Sequence, residues 1–152
     1  MDNSYLNIND IQKIVSKDLN YVNDIIINNI GNEIPLINDL SKHILASGGK
    51  RIRPIITLLT SSICNYSGKN HLPLAACVEF IHTATLLHDD VIDESKLRRG
   101  TATANEIFGN KTSILVGDFL FARAFELMVK NGSKKILKIL SKASSTIAQG
   151  EV

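Results

Sequence analysis

The sequence predicts an all-α fold, and three observations support that prediction. Apolar residues recur at helical spacing in successive stretches of the chain, and no stretch of any length shows the alternation of a β-strand. Pro35, Pro54 and Pro73 stand close to where three of these stretches begin. Gly31 and Gly132 stand where two others end. We therefore expect about seven helices and no strand.

In the first part of the chain, helical periodicity runs over residues 9–30 and ends at Gly31. A second helix should begin at Pro35 and continue to about residue 45, where the segment 47–49 interrupts it. Pro54 is suited to be the first residue of a third helix, because a proline there sacrifices no hydrogen bond.

In the second part of the chain, residues 65–70 form a polar turn, and Pro73 should begin a long helix that continues into an acidic stretch. Gly100 and Gly109 bracket a short segment that we expect to be helical. Two further helices should cover residues 112–130 and the segment after Ser133, whose hydroxyl can cap the helix start.

Composition bounds the class of protein. The chain has 152 residues, of which 44% are hydrophobic and 21% charged, as expected for one globular domain. A net charge of +2 is too small to indicate a nucleic-acid-binding protein. Cys64 and Cys77 lack the spacing of a zinc site or disulfide framework. Without an apolar run of ~18 residues or a signal peptide, we expect no membrane anchor and a cytoplasmic location.

The most informative stretch is Leu-Leu-His-Asp-Asp-Val-Ile-Asp-Glu over residues 86–94. On a helix, Asp89 and Asp93 project from the same face and repel each other, so a cation should neutralise them. Oxygen ligands without a nearby cysteine suit Mg²⁺, which binds one or two carboxylates together with substrate phosphates. His82 and Thr85 fall on the same helical stripe. A solvated acidic turn is the alternative, but the apolar neighbours indicate a mostly buried helix.

Two basic segments could bind the phosphates of such a substrate. In Gly-Gly-Lys-Arg-Ile-Arg-Pro, residues 48–54, the glycines let backbone N–H groups approach an anion, and Lys50 and Arg53 add positive charge. Arg98 and Arg99 follow the acidic stretch, and guanidinium groups match phosphate oxygens bidentately. Taken singly, each segment is also compatible with a solvated surface.

Together, these segments closely resemble the trans-polyprenyl diphosphate synthases. The resemblance rests on residues 48–54, on Glu-Phe-Ile-His-Thr-Ala-Thr-Leu-Leu-His-Asp-Asp-Val-Ile-Asp over residues 79–93, and on Arg-Arg-Gly at 98–100. Gly-Asp-Phe-Leu-Phe-Ala at 117–122 and the closing Gly-Glu-Val also resemble family segments. The resemblance runs from about residue 40 onward and implies an antiparallel helix bundle of the isoprenoid synthase type.

The resemblance also implies an activity and a role for each motif. Family members use Mg²⁺ to ionise an allylic prenyl diphosphate, which then adds isopentenyl diphosphate. By motif, Asp89 and Asp93 would be the catalytic metal ligands, Asp90 would support them, and Arg98 would hold the allylic diphosphate. The residues implied for the diphosphate of isopentenyl diphosphate are Lys50, Arg53, His82 and Arg99.

Product length is a further expectation from the resemblance. In the family, side chains about one turn before the first metal carboxylate form the floor of the tunnel in which the product grows. The corresponding residues are Ile81, Ala84 and Thr85, and Ala84 and Thr85 are small. We therefore expect a long all-trans product such as octaprenyl or nonaprenyl diphosphate, and we expect Ala84→Phe to shorten it.

The family's second aspartate-rich motif does not occur after Asp118. Residues 1–152 therefore resemble a partial synthase domain, the N-terminal half of an enzyme whose family is usually homodimeric. We expect little or no synthase activity from this chain by itself. Three alternatives stay open: a split-gene or non-catalytic partner subunit, a class I terpene cyclase, and an HD-type phosphohydrolase built on His88 and Asp89.

Overall fold

The computed structural model describes residues 7–31, 34–46 and 49–150. In chain order the helices are α1 (Ile8–Ile14), α2 (Ser16–Ile30), α3 (Pro35–Ala46), α4 (Ile52–Ile63), α5 (His71–Ile92), α6 (Ala104–Phe108), α7 (Asn110–Asn131) and α8 (Lys134–Gly150). A short hairpin of β1 (Leu97–Arg98) and β2 (Thr101–Ala102) follows α5. The predicted all-α class is confirmed.

The predicted single helix over residues 9–30 was wrong, because Val15 interrupts it with φ −108° and ψ 12°. The separate helix α1 begins with a capping box, in which the Asn7 side chain accepts hydrogen bonds from the N–H groups of Asn9 and Asp10. The apolar spacing continues through the break, so periodicity alone could not locate it.

Two predicted helix starts were displaced by two residues. Helices α4 and α5 begin at Ile52 and His71, so Pro54 and Pro73 occupy their third positions. Proline is tolerated there because the first four N–H groups of a helix have no partner within the helix. The polar turn before α5 lies within the predicted segment, and Ser133 caps α8 as expected.

The expectation of no strand was also wrong, although the sheet is small. Leu97 pairs with Ala102, and Arg98 with Thr101, around a two-residue turn. Arg99 and Gly100 both have positive φ, 53° and 80°, as a type I′ turn requires. This hairpin folds the two adjacent arginines back toward the end of α5.

The core is centred on α5, which packs along α7 and is flanked by α2 and α4. Small buried side chains allow the two long helices to approach closely, among them Ala75, Ala76, Ala84 and Ala124. The Cys77 thiol donates to the Ala124 carbonyl across this contact, at 3.3 Å. Burial raises the pKa of Cys77 to about 12, so this thiol stays protonated.

Helix α8 has no buried residue although it is 17 residues long, and among the described helices it shares this feature with the short helix α1. Its apolar side includes Ile139 and Ile147, which are 58% and 42% exposed. Within the described residues, α8 contacts the rest of the bundle mainly through α7. None of the described helices combines the length and apolarity that crossing a membrane would need.

Gly117 sets the approach of α7 to the acidic end of α5. A Cβ atom at this position would lie 2.3 Å from Nε2 of His88. We expect Gly117→Ala to displace the His88 ring and to lower the free energy of unfolding by about 1–3 kcal/mol. Urea unfolding measures this change. The double substitution Gly117→Ala with His88→Ala should recover part of it, and an unchanged midpoint in the single variant would contradict the packing described.

Candidate active site

One face of α5 lines a cavity of about 360 Å³. His82, Thr85 and Asp89 line it together, as their helical spacing predicts. The Thr85 hydroxyl donates to the His82 carbonyl at 2.8 Å, so its hydrogen-bonding capacity is satisfied within the helix. Residues of α8 form the other wall, namely Leu140, Ala143, Ser144 and Ile147. The lining therefore combines the Asp89 carboxylate, Arg53 and His82 with mostly apolar side chains.

Asp89 and Asp93 keep the four-residue relation of a helix even though α5 ends at Ile92. Asp93 is the C-cap, with φ −79° and ψ −2°, and its N–H donates to the Asp89 carbonyl at 2.8 Å. Asp89 is half-buried and Asp93 is exposed. Burial, and then the neighbouring carboxylates of Asp93 and Asp90, raise the pKa of Asp89, while the Arg98 guanidinium opposes this rise.

This donor set fits a hard divalent cation. Two neighbouring carboxylates repel each other, and a metal ion bound to both would offset that repulsion. No cluster of three or more His, Cys, Asp or Glu side chains suited to hold a metal occurs in residues 7–31, 34–46 and 49–150. Asp89 and Asp93 would hold a hard cation together with water or phosphate oxygens, which complete its coordination.

Asp90 lies about a third of a turn from Asp89 and binds Arg98 instead. Its side chain is 7% exposed, and it accepts hydrogen bonds from Arg98 Nε at 3.0 Å and from an Nη atom at 2.7 Å. Hydrogen bonding to Asp90 is the main cause that raises the pKa of Arg98. Asp90 therefore orients an arginine beside Asp89, which agrees with a supporting role.

A second cavity of about 300 Å³ adjoins the first at His82. Four sequence-predicted binding residues line it, namely Lys50, Arg53, His82 and Arg99. Burial, and then the positive charges of Arg53, Arg98 and Arg99, lower the pKa of His82 against the opposing effect of Glu79. Electropositive surroundings of this kind favour an anion. Residues from three parts of the chain thus converge on one cavity, which we call the cationic cavity.

The expected tunnel-floor residues do not all share one surface. Ile81 and Thr85 line the cavity that holds Asp89. Ala84 is fully buried in the helical core, because it lies 100° around the helix from Thr85 on the side that packs against the bundle. Ala84 therefore does not line this cavity, and its assignment to the tunnel floor stays a prediction.

Sequence reasoning missed two residues that line the cationic cavity. Arg51 and Glu79 line it and form an ion pair at 2.8 Å. Their positions offered a signal, since Arg51 lies inside the basic segment and Glu79 lies one turn before His82. Gly48 and the closing residues 151–152, which contributed to the resemblance, lie outside the described residues.

His88 contacts α7. Its Nε2 lies 3.3 Å from the Ile114 carbonyl oxygen and 3.5 Å from Asp118 Oδ1. The HD-type alternative would need His88 to join a metal-binding cluster, and the described residues contain none.

A family model described as polyprenyl synthetase matches residues 34–152. The chain belongs to the polyprenyl synthetase family. This membership decides against the terpene cyclase and HD-type phosphohydrolase alternatives.

Curated relatives in the polyprenyl synthetase family include long-chain enzymes. The chain is 49% identical over 147 residues to octaprenyl diphosphate synthase of Escherichia coli strain K12, an alignment that covers 97% of this chain and 46% of the relative. It is 46% identical to all-trans-nonaprenyl-diphosphate synthase (geranyl-diphosphate specific) of Rhodobacter capsulatus, covering 94% of this chain and 44% of the relative. The chain thus spans about half the length of these relatives.

Solved structures of the family agree with the fold. A decaprenyl diphosphate synthase from Rhodobacter capsulatus matches with a TM-score of 0.90 and 45% identity, over 95% of this chain and 45% of that one. A polyprenyl synthase from Caulobacter crescentus CB15, solved with calcium and isoprenyl diphosphate, matches with a TM-score of 0.91 and 47% identity. That match covers 95% of this chain and 44% of the Caulobacter chain.

Proposed function

We propose that this chain supplies half of the active site of a Mg²⁺-dependent prenyltransferase, which adds isopentenyl diphosphate to an allylic diphosphate to make a long all-trans polyprenyl diphosphate. The observation that carries the proposal is the convergence of Lys50, Arg53, His82 and Arg99 on one cavity that adjoins the cavity of Asp89. Two adjoining cavities, which share Arg53 and His82, suit two diphosphate substrates bound side by side.

The residues divide the work between the two diphosphates. Asp89 and Asp93 would hold Mg²⁺, which when bound stabilises the negative charge of a departing diphosphate. Arg98, oriented by Asp90, would bind the allylic diphosphate as its C–O bond breaks and charge builds on its oxygens. The double bond of isopentenyl diphosphate then forms a C–C bond to the allylic cation, and loss of a proton restores the alkene.

The cationic cavity would hold isopentenyl diphosphate throughout. Lys50, Arg53 and Arg99 supply fixed positive charge, and binding of a polyanion would offset their mutual repulsion. His82 lies where the two cavities meet, so its imidazole can donate to the bound diphosphate and help to align the two reactants.

Product length should depend on Thr85. Its side chain lines the cavity beyond Asp89, where a growing apolar chain would lie. We expect Thr85→Phe to shorten the product, because the larger ring would fill part of the 360 Å³ cavity. Chromatography of the dephosphorylated products that the variant forms together with a complementary C-terminal half measures this change. An unchanged product distribution in Thr85→Phe would contradict the placement of the tunnel.

The neighbouring substitution Ala84→Phe should lower the free energy of unfolding by about 1–3 kcal/mol, because Ala84 is buried in the core.

We further propose that activity requires a complementary C-terminal half, within an assembly that is homodimeric in its complete form. The exposed apolar side of α8, with Ile139 and Ile147, supports this proposal, since apolar surface of this kind usually contacts a partner. Such a half could be supplied by a separate polypeptide, as in the split-gene alternative.

Co-expression tests both proposals. The 152-residue chain would be purified alone and with the C-terminal half of the E. coli octaprenyl diphosphate synthase, its 49% identical relative. We expect labelled isopentenyl diphosphate to be incorporated into a long prenyl product only by the combined halves, and only with Mg²⁺. Elongation by the chain alone would refute the need for a second half. Incorporation that persists in combined halves carrying Asp89→Ala would refute the assigned site.

A further inference from the structure

A buried ion pair lines part of the cationic cavity. Anion binding does not explain why this pair is there. Arg51 Nη1 donates to Glu79 Oε1 at 2.8 Å, and the two side chains are only 16% and 9% exposed. The residues are 28 positions apart in sequence, so the pair joins the segment before α4 to the middle of α5. Both side chains line the cavity that Lys50 also lines.

A carboxylate in this position is electrostatically unfavourable for a diphosphate site, because it repels the ligand. Glu79 also neutralises the charge of Arg51, so Arg51 contributes less to anion binding than its neighbours do. Glu79 would oppose ligand binding and is nevertheless buried beside the site. Its role is therefore to hold a neighbouring residue in place. In this structure Glu79 holds Arg51.

The backbone of the 49–51 segment shows why it needs to be held. Arg51 is the residue before α4 and has the left-handed conformation φ 51°, ψ 33°, which is unfavourable for a residue other than glycine. At Gly49, a Cβ atom would lie 3.6 Å from Arg51 Nη1 and 3.8 Å from Glu79 Oε1, so the backbone lies directly against the ion pair. The pair therefore stabilises a strained segment on either side of Lys50.

A second contact holds the same segment from a different helix. Gln12 Nε2, on α1, donates to the Lys50 carbonyl at 3.2 Å. Helix α1 lies outside residues 34–152, the part that the family model matches. The Lys50 backbone is thus fixed from α1 and from α5, while its side chain remains exposed at the cavity.

We propose that Arg51 and Glu79 are positioning residues for the cationic cavity: their ion pair fixes the 49–51 segment so that Lys50 is preorganised for a diphosphate, and Arg51 is not itself a ligand. Gln12 assists from α1. This inference rests on the proposed function of the cavity as the isopentenyl diphosphate site. It explains the geometry of that cavity by residues that do not bind the ligand.

Substitution of Glu79 distinguishes positioning from direct binding by the sign of its effect. If Arg51 were a ligand, Glu79→Ala would release it and remove a repulsive charge, so anion affinity would rise. If the pair positions the segment, Glu79→Ala should weaken binding by about tenfold through loss of preorganisation. Calorimetric titration of the purified 152-residue chain with inorganic pyrophosphate measures this affinity. Glu79→Gln keeps the acceptor oxygen, so we expect it to retain affinity within about threefold of the wild type.

Two further variants control for charge and folding. Glu126→Ala removes a carboxylate from an exposed pair with Arg123 on α7 and should leave pyrophosphate affinity unchanged. Gln12→Ala loosens the segment from the surface, and we expect affinity about threefold weaker without loss of helical circular dichroism. Affinity equal to or higher than wild type in Glu79→Ala would overturn the proposal. If that variant does not fold, unchanged affinity in Gln12→Ala would overturn it.

Substitution of the proposed binding residues tests the proposed function separately. Lys50→Ala and Arg99→Ala should each weaken pyrophosphate binding. Wild-type affinity in both variants would refute the cavity as a diphosphate site, regardless of the result for Glu79→Ala. In the combined halves, Glu79→Ala should raise the KM for isopentenyl diphosphate and leave that for the allylic substrate unchanged. An equal rise in both KM values would indicate general disruption and overturn the positioning role.

Discussion

Replacing Arg98 with alanine is expected to lower the free energy of unfolding by about 2–3 kcal/mol. The substitution leaves the Asp90 carboxylate, 7% exposed, without the guanidinium that binds it at 2.7 Å and 3.0 Å. Loss of one partner from a fully buried pair typically costs about 3–5 kcal/mol. The expected effect is smaller here because the Arg98 side chain is 40% exposed, so water can partly replace it.

Urea unfolding followed by circular dichroism measures this change. Arg123→Ala is the matched control, because it removes an arginine from an ion pair that is also 2.7 Å long but whose carboxylate, Glu126, is 64% exposed. That control should cost less than about 1 kcal/mol. Adding Asp90→Asn to Arg98→Ala should restore stability, since the buried charge is then absent. Equal losses for Arg98→Ala and Arg123→Ala would contradict a special role for the buried carboxylate.

Replacing Asp89 with asparagine is expected to weaken Mg²⁺-dependent binding of pyrophosphate by about 100-fold. The substitution removes one of two carboxylates placed to hold the ion, and an amide oxygen is a weaker ligand for Mg²⁺. Calorimetry with and without Mg²⁺ separates this contribution from binding through Lys50 and Arg99, which should persist. The matched control is Asp118→Asn, an exposed carboxylate on α7 that we assign no role in metal binding. Equal Mg²⁺ dependence in Asp89→Asn and wild type would refute the metal site.

The pH dependence of the wild type provides a second measurement of the same site. The pKa of Asp89 is raised by burial and then by Asp93 and Asp90. The folded state therefore binds this proton more readily than the unfolded state, and ionisation of Asp89 costs stability as pH rises from the ordinary aspartate pKa through the raised one. Mg²⁺ binds the ionised carboxylate, so lowering the pH should weaken metal binding. This loss should begin at a higher pH than for a site whose aspartate has the ordinary pKa. Asp93→Asn should move that transition to lower pH.

The helices could be predicted because each one buries an apolar stripe, and burial of a stripe leaves a 3.6-residue period in the sequence. The same reasoning could not detect the break at Val15, where one residue changes backbone conformation without changing the apolar spacing. It also missed the hairpin around Arg99 and Gly100, because strands of two residues are too short to show alternation. Gly100 is a turn signal, but a glycine at that position also fits the boundary of a helix.

Part of the site followed from position along a single helix. His82, Thr85 and Asp89 share one face because helical spacing alone determines their angles, and the structure places all three in one cavity. Ala84 shows where that reasoning ended. Its angle around α5 was computable from the sequence, but which side of α5 faces the core depends on where α7 and α4 pack.

By itself, the sequence determined the helical class, the acidic stripe on α5 and, by resemblance, the family to which the chain belongs. Only the tertiary structure decided which charges are paired: Asp90 with Arg98, and Glu79 with Arg51. Local spacing reports the face on which a side chain lies, because the helix repeat is a property of the backbone. Pairing between distant segments depends on how helices pack, and packing is a property of the whole core.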